Sequence, residues 1–387
     1  MGHGRNDAAA VVNKALTHLD GLRCAKELLG EGDRAEEFPV LKDVLIYFRW
    51  SFVVTILGLV LAGVLGYVLQ GGTSGAVTFL LIGSVLAVLE ISLSFDNAIV
   101  NANTLKRMSE VWQKRFLTWG ILIAVFGMRL VFPLLIVVVA AGVGPWEALH
   151  LSITEPAQYA HIIEEAHVPI VGFGGAFLMM VGLRFFFDAD KTVHWIAPIE
   201  RAVARFSGIR GIEMAVVLVA MLLVAWLLPE EEVATFLFAG VAGLVVFLAL
   251  DVIGYLLDSS DEVLEGAARA GFGAFLYLEV LDASFSFDGV IGAFALTQDL
   301  LLIAIGLGIG AMYVRSMTIM LVEKGALAEF EYLENGAFWS ILVLSFIMFA
   351  QTMIEVPEYV TGLLGAGFIA AAFWSSLRVR KCERSPA

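Results

Sequence analysis

Two stretches of the chain set carboxylates into strongly apolar sequence, and the two stretches are close copies. The first reads Leu89-Glu90-Ile91-Ser92-Leu93-Ser94-Phe95-Asp96-Asn97-Ala98, and the second reads Leu281-Asp282-Ala283-Ser284-Phe285-Ser286-Phe287-Asp288-Gly289-Val290. A shift of 192 residues lays Glu90 on Asp282, Asp96 on Asp288 and Ser-x-Ser-Phe on Ser-x-Ser-Phe. Glu279, one turn before Asp282, adds a fifth acid. A carboxylate at the centre of a bilayer costs about 2.5–3.5 kcal/mol on insertion scales, so acids kept there are expected to serve an ion or a partner. Carboxylate, amide and hydroxyl oxygens are hard ligands suited to Mg²⁺, Ca²⁺ or Mn²⁺, and no thiol or imidazole falls in either stretch. The pattern therefore points to a divalent-cation site drawn from Asp96, Asp288, Glu90, Asp282, Glu279 and Asn97. Two other uses stay open: protonated acids bonded between helices, and acids paired with Arg129 and Arg315 in the apolar runs that follow each motif. Five acids outnumber those two arginines, which are read as structural counter-ions.

On a helix, residues three or four apart share a face, which groups Glu279 with Asp282, Asp282 with Ser286 and Glu90 with Ser94. Glu90 and Asp96 are six apart, about 120° around an ideal helix. Convergence on one ion then needs a wide cavity or local unwinding, expected where the Ser-rich segments run into Asn97 and Gly289. Irregular backbone is tolerated at that depth only where it lines a polar cavity.

The elements that must carry these residues are apolar runs long enough, at about 17–25 residues, to span a bilayer as helices. Ten are expected: 46–69, 77–104, 117–141, 169–187, 214–228, 235–257, 271–297, 301–322, 338–354 and 360–377. All but four of the 24 Lys and Arg residues fall into connections on one side, the exceptions being Arg49, Arg129, Arg184 and Arg315 in or beside spans. Basic connections mark the cytoplasmic side, so both termini are expected there. The shift between the motifs covers five spans, an odd number, so the copies are expected to cross in opposite directions. That is an inverted-topology repeat, the arrangement in which secondary transporters hold substrate near the midplane. The expected organisation is all-α and polytopic: a cytoplasmic N-terminal segment 1–44, a first membrane repeat 45–228, a second 229–378 and a cytoplasmic tail 379–387.

Composition agrees. Of 387 residues, 59% are hydrophobic and 16% charged, with net charge -14 and mean hydropathy +0.86. These values exclude a cytosolic enzyme, a disordered chain and a nucleic-acid binder, the last of which needs a basic surface. The exported connections are acidic, with Glu147, Glu155, Glu164 and Glu165 in one and Glu230 to Glu232 in the next. Such loops either gather cations or are simply solvated. Cys24 and Cys382 form no metal or disulfide pattern. The N-terminal segment lacks a signal-peptide core, and Ala8 to Leu29 is periodic enough for a surface helix.

At its motifs the sequence resembles the TerC family of bacterial integral membrane proteins, within the wider LysE-like transporter group. The first family motif, approximately Glu-x-x-Leu-Ser-x-Asp-Asn-Ala, is matched by Glu90, Leu93, Ser94, Asp96, Asn97 and Ala98. The second, approximately Glu-x-x-Asp-x-x-Phe-Ala-x-Asp-Ser, is matched by Glu279, Asp282, Phe285 and Asp288, with Ser286 and Gly289 in place of its small residues. The arginine after each motif matches too, and the likeness covers about residues 75–350. The first 44 residues and the extra spans resemble a longer, divergent subfamily. The resemblance implies a metal-ion transporter of the bacterial cytoplasmic (inner) membrane, with Mn²⁺ export the first expectation and a historical link to tellurium resistance. The choice of Mn²⁺ over Ca²⁺ or Mg²⁺ comes from the resemblance alone. No enzymatic activity is expected, since the Gly-x-Gly-Asp signature of an intramembrane aspartyl protease is absent. A non-transporting membrane accessory or metal sensor is the alternative. Expected partners are the lipid bilayer and a divalent metal ion; a homodimer is compatible with the sequence.

The sidedness is testable with single cysteines. Glu155→Cys should react with a membrane-impermeant maleimide in intact cells, and Arg205→Cys only after lysis; the reverse pattern would overturn the orientation.

Overall fold

The structure, a computed structural model, describes residues 40–106, 108–120, 123–258, 271–354 and 356–384. The expected N-terminal surface helix and Cys24 lie outside the described residues, as does the side chain of Cys382. The described chain is an all-α polytopic membrane protein. Its helices are α1 (Val40–Leu69), α2 (Gly72–Leu93), α3 (Phe95–Leu105), α4 (Glu110–Arg115), α5 (Phe132–Ala141), α6 (Pro145–Thr154), α7 (Pro156–Glu165) and α8 (His167–Phe186). There follow α9 (Ala197–Ala204), α10 (Ile212–Leu227), α11 (Glu230–Asp258), α12 (Phe272–Leu296), α13 (Leu300–Glu323), α14 (Ala326–Glu329), α15 (Leu333–Gln351) and α16 (Glu358–Arg384). Two π-helical segments, Phe116–Gly120 and Ile123–Val131, lie between α4 and α5. Residues 47–376 form one compact unit.

Seven described helices are long and apolar enough to cross a membrane, or up to eight if the bent pair α5–α6 is one span. The ten expected spans all find helices, and three of them fall outside those limits for separate reasons. The α10 helix has 16 residues. The α12 helix carries three acids, Glu279, Asp282 and Asp288. The span at 117–141 is interrupted by π-helical backbone and then bends by 106° into α6, with Gly142 at φ 65° closing α5 in the left-handed conformation that glycine tolerates.

Lipid-facing and buried helices are plainly distinguished. On α1, Ile56, Leu57 and Val68 are mostly exposed, as are Trp226 on α10 and Phe238 on α11. In water such a surface would be an aggregation hazard, whereas a bilayer accepts it because every helix satisfies its own backbone. The α8 and α13 helices run through the interior, and close approach there depends on missing side chains. A Cβ on Gly175 would meet Phe349 at 2.6 Å, and one on Gly243 would meet the Phe173 carbonyl at 2.5 Å. Packing through small residues is how helices associate when lipid tails are as apolar as leucine. The contacts come in corresponding sets: α13 lies on α2 as the Ile123–Val131 segment lies on α12, and α15 lies on α3 as α8 lies on α12.

One connection is tied down by a buried polar knot. Glu200 on α9, 1% exposed, accepts from Lys191 Nζ (2.7 Å), the Ile196 N–H (3.0 Å), Asn335 Nδ2 (2.9 Å) and Trp339 Nε1 (3.0 Å). Lys191 Nζ also lies 4.4 Å from the ring centres of Phe185 and Phe186. Asn335 and Trp339 belong to α15, so the connection is fastened to the helix that also reaches the acidic motifs. Arg184 and Asp251, near the ends of α8 and α11, pair at 2.7 Å while half-exposed.

Burial alone would raise the Glu200 carboxyl pKa, but the donors from Lys191, Trp339 and Ile196 outweigh it and hold the group below its ordinary 4.5. The folded value lies below the unfolded one, so the stabilisation is complete above about pH 4.5 and lost as pH falls through the folded value. Glu200→Gln, which leaves Lys191 without its counter-charge, is expected to cost about 3–5 kcal/mol in unfolding measurements and to flatten this acid sensitivity. A variant as stable as wild type would remove the knot from the account.

Candidate functional site

The first motif lies where α2 gives way to α3. Ser94 separates them at φ -97°, ψ 17°, close to helical. Its N–H donates to the Glu90 carbonyl at 3.0 Å and the Ala98 N–H to the Ser94 carbonyl at 3.2 Å, while between them the Asn97 N–H turns to Asp96 Oδ1 at 2.9 Å, so the helix is interrupted at this joint. The second motif lies within α12, which runs unbroken past Gly289 to Leu296. The break expected at the first motif is therefore present at Ser94, whereas none occurs at Gly289. Gly289 has a different use: a Cβ there would stand 3.0 Å from Glu90 Oε2. Gly310 on α13 does the same from another side, since its Cβ would lie 2.2 Å from Glu90 Cγ. Both glycines make room for one carboxylate.

That carboxylate, 4% exposed, is paired with the guanidinium of Arg129, which is equally buried. Ser94 Oγ donates to its Oε1 at 3.1 Å. Arg129 sits at the end of the π-helical Ile123–Val131 segment, and Pro133 four residues on clashes with any regular α-helical bond to the Arg129 carbonyl, so the backbone is irregular where the arginine must reach inward. Arg129 is thus the counter-ion the sequence suggested. Arg315 on α13 is differently placed: its Nε donates to the Leu117 carbonyl at 3.0 Å, bracing the first π-helical segment.

Asp96 is buried, with Oδ2 accepting from Ser340 Oγ of α15 at 2.7 Å and Oδ1 accepting from the Asn97 N–H at 2.9 Å. Asp282 is buried and accepts from Asn101 Nδ2 at 3.0 Å, which joins α12 directly to α3 across the two halves of the chain. Glu279 is 7% exposed, and among the described residues neither of its carboxylate oxygens has a hydrogen-bond partner. The same holds for Oδ1 of Asn97, Oδ1 of Asn101 and Oγ1 of Thr361. Asp288 is on α12, and its side chain lies outside the described residues. Among the described residues, no three His, Cys, Asp or Glu side chains are grouped as a metal cage; any cation held here would draw on amide and hydroxyl oxygens as well as carboxylates.

Two small cavities adjoin the motifs. One, of about 30 Å³, is lined by Asn97, Asn101, Asp282, Ser286, Arg129 and Arg315 among others. The other, of about 20 Å³, is lined by Glu90, Ser94, Asp96, Gly289, Ser340 and Thr361 among others. The structure thus brings Glu90, Asp96, Asn97 and Asp282 to cavity walls and buries Glu279 one turn from Asp282. Sequence reasoning missed Asn101, Ser340 and Thr361. Asn101 had a signal, being one helical turn after Asn97, whereas Ser340 and Thr361 are ordinary small polar residues in apolar spans.

A family described as a protein of unknown function (DUF475) matches residues 95–383, well over half of the chain, and the chain belongs to that family. The match takes in both asparagines, Arg129 and the whole second motif. No curated protein and no solved structure matches the chain.

Because Gly310 is fitted to Glu90, Gly310→Leu should clash with that carboxylate and cost about 1–3 kcal/mol, the usual range for overpacking. Thermal stability of the solubilised protein checks this; unchanged stability would show that Glu90 is free to move aside.

Proposed function

We propose that this DUF475 member is a divalent metal-ion transporter of the bacterial cytoplasmic membrane, moving Mn²⁺ outward between two inverted-topology repeats. The observation that carries the reading is chemical: buried carboxylates from both motifs share the interior with acceptor oxygens of Asn97, Asn101 and Glu279 that have no donor among the described residues. A buried polar atom left without a partner costs about 1–3 kcal/mol, more when charged. A hard cation supplies what such a set lacks, since it binds several oxygens at once. The likeness of the motifs to those of TerC proteins supports Mn²⁺ over Ca²⁺ or Mg²⁺. Rocking of one repeat against the other would expose the bound ion to each side in turn. Proton exchange fits as the driving reaction, because a protonated carboxylate is a poor metal ligand and its protonation favours release.

The alternative, a non-transporting accessory or metal sensor, draws on the ordered polar connection around Glu200, whose fastening to α15 would suit a docking surface. Metal flux separates the two. Purified protein in liposomes with an imposed pH gradient is expected to move Mn²⁺, and Asp96→Asn and Asp282→Asn each to slow it at least tenfold, the equivalent of about 1.4 kcal/mol. Unchanged flux in both variants would overturn the site, and no flux of Mn²⁺, Mg²⁺ or Ca²⁺ by the wild type would favour the sensor reading.

A further inference from the structure

The two cavities share no lining residue, and an ion pair links their walls: Arg129 lines the first, Glu90 lines the second, and these side chains are bonded to each other, beside a second link in which the Asn97 N–H of the first wall donates to Asp96 Oδ1 of the second at 2.9 Å. The first cavity lies toward the helix ends that carry the basic connections, since it is lined by Phe116, Leu117 and Thr318, while α3 runs on toward Lys106. The second lies toward the opposite end, where Thr361 and Leu364 follow the start of α16. We propose that the transported cation occupies two single-ion sites in succession, an inner one framed by Asp282, Asn97 and Asn101 and an outer one framed by Asp96, Ser340 and Thr361, with the Glu90–Arg129 ion pair as the barrier between them. The proposal rests on the carrier reading and adds to it the number of stations and the gate.

Both cavities are small, with about 30 and 20 Å³ of space for the centres of water-sized groups, enough to admit a water or a dehydrated ion. Each cavity also offers a buried oxygen that is without a donor among the described residues. Asn97 and Asn101, 7% and 2% exposed, present theirs at the inner cavity, and Thr361, 6% exposed, presents its hydroxyl at the outer one. Every one of these atoms is a neutral oxygen beside an acid, the mixture that binds a divalent ion without trapping it.

The barrier follows from charge. Glu90 and Arg129 neutralise each other where water is excluded, and separating them without a replacement leaves two bare charges. An arriving divalent cation is such a replacement: it can take the guanidinium's place beside Glu90, so the pair opens only when an ion is there to open it. Gly289 and Gly310 keep both sides of Glu90 clear for that exchange. Arg315, which also lines the inner cavity, weakens cation binding there and so favours onward passage.

The direct test is equilibrium dialysis of radioactive Mn²⁺ against the purified full-length chain in nanodiscs, with Mg²⁺ and Ca²⁺ as competitors. Wild type should bind two ions per chain, Asn101→Leu one and Thr361→Val one, the retained site in each variant reporting that the fold survives. Asn101→Asp should restore two, with tighter inner binding. One ion in the wild type, weakened alike by Asn101→Leu and Thr361→Val, would overturn the two stations and leave the carrier reading standing. No binding of any of the three metals by the wild type would overturn that reading and the stations with it. For the gate, the double variant Glu90→Gln with Arg129→Gln should let Mn²⁺ equilibrate across liposomes without a pH gradient at least tenfold faster than wild type; equal leak rates would overturn it.

Discussion

The Glu90–Arg129 ion pair is the contact on which the interior is built. Both members are almost fully buried, and neither could be kept there alone, because an unpaired charge in a low-dielectric interior costs far more than its partner's attraction returns. Much of the surrounding sequence is understandable as provision for it. Glycines on α12 and α13 remove the side chains that would collide with Glu90. Arg129 reaches Glu90 from the π-helical segment just ahead of Pro133. Ser94 at the α2–α3 joint gives Glu90 a hydroxyl donor.

Around this pair the remaining acids are held by weaker, more exchangeable contacts. Asp96 has a serine hydroxyl and a backbone N–H, and Asp282 has an asparagine amide. The contrast suits the proposed carrier: a strong central pair surrounded by acids whose neutral partners can turn away. The α15 helix carries this arrangement outward, because Ser340 touches Asp96 while Asn335 and Trp339, within two turns, hold Glu200 of the connection between α8 and α10. Any shift of α15 would be felt at both places.

The membrane class, the apolar helices and the acids were legible in the sequence, since charged residues in apolar runs of bilayer length have few readings. Pairing of acids with Arg129 and Arg315 was also among the open choices, though not which acid would meet Arg129. What the pattern misjudged was the role of the small residues. Gly289 and the serines of the second motif looked like places for the backbone to unwind, as it does at Ser94 in the first, yet α12 stays helical and the glycine instead admits a neighbouring side chain. A period or a spacing cannot tell these apart, because close approach depends on which helix lies opposite. Ser340 and Thr361 were invisible for the same reason, their importance coming from partners 244 residues away in the case of Ser340 and from a cavity wall in the case of Thr361.

In the proposed carrier, the oxygens of Asn97, Asn101 and Glu279, which have no donor among the described residues, serve as cation ligands. An anomalous-difference map from crystals of the full-length protein grown with Mn²⁺ tests it most directly. The expected result is a peak within coordination distance of Asp282 and an asparagine oxygen, on the Arg129 side of the ion pair. A map with waters or protein donors bonded to those oxygens, and no metal near either motif, would contradict it.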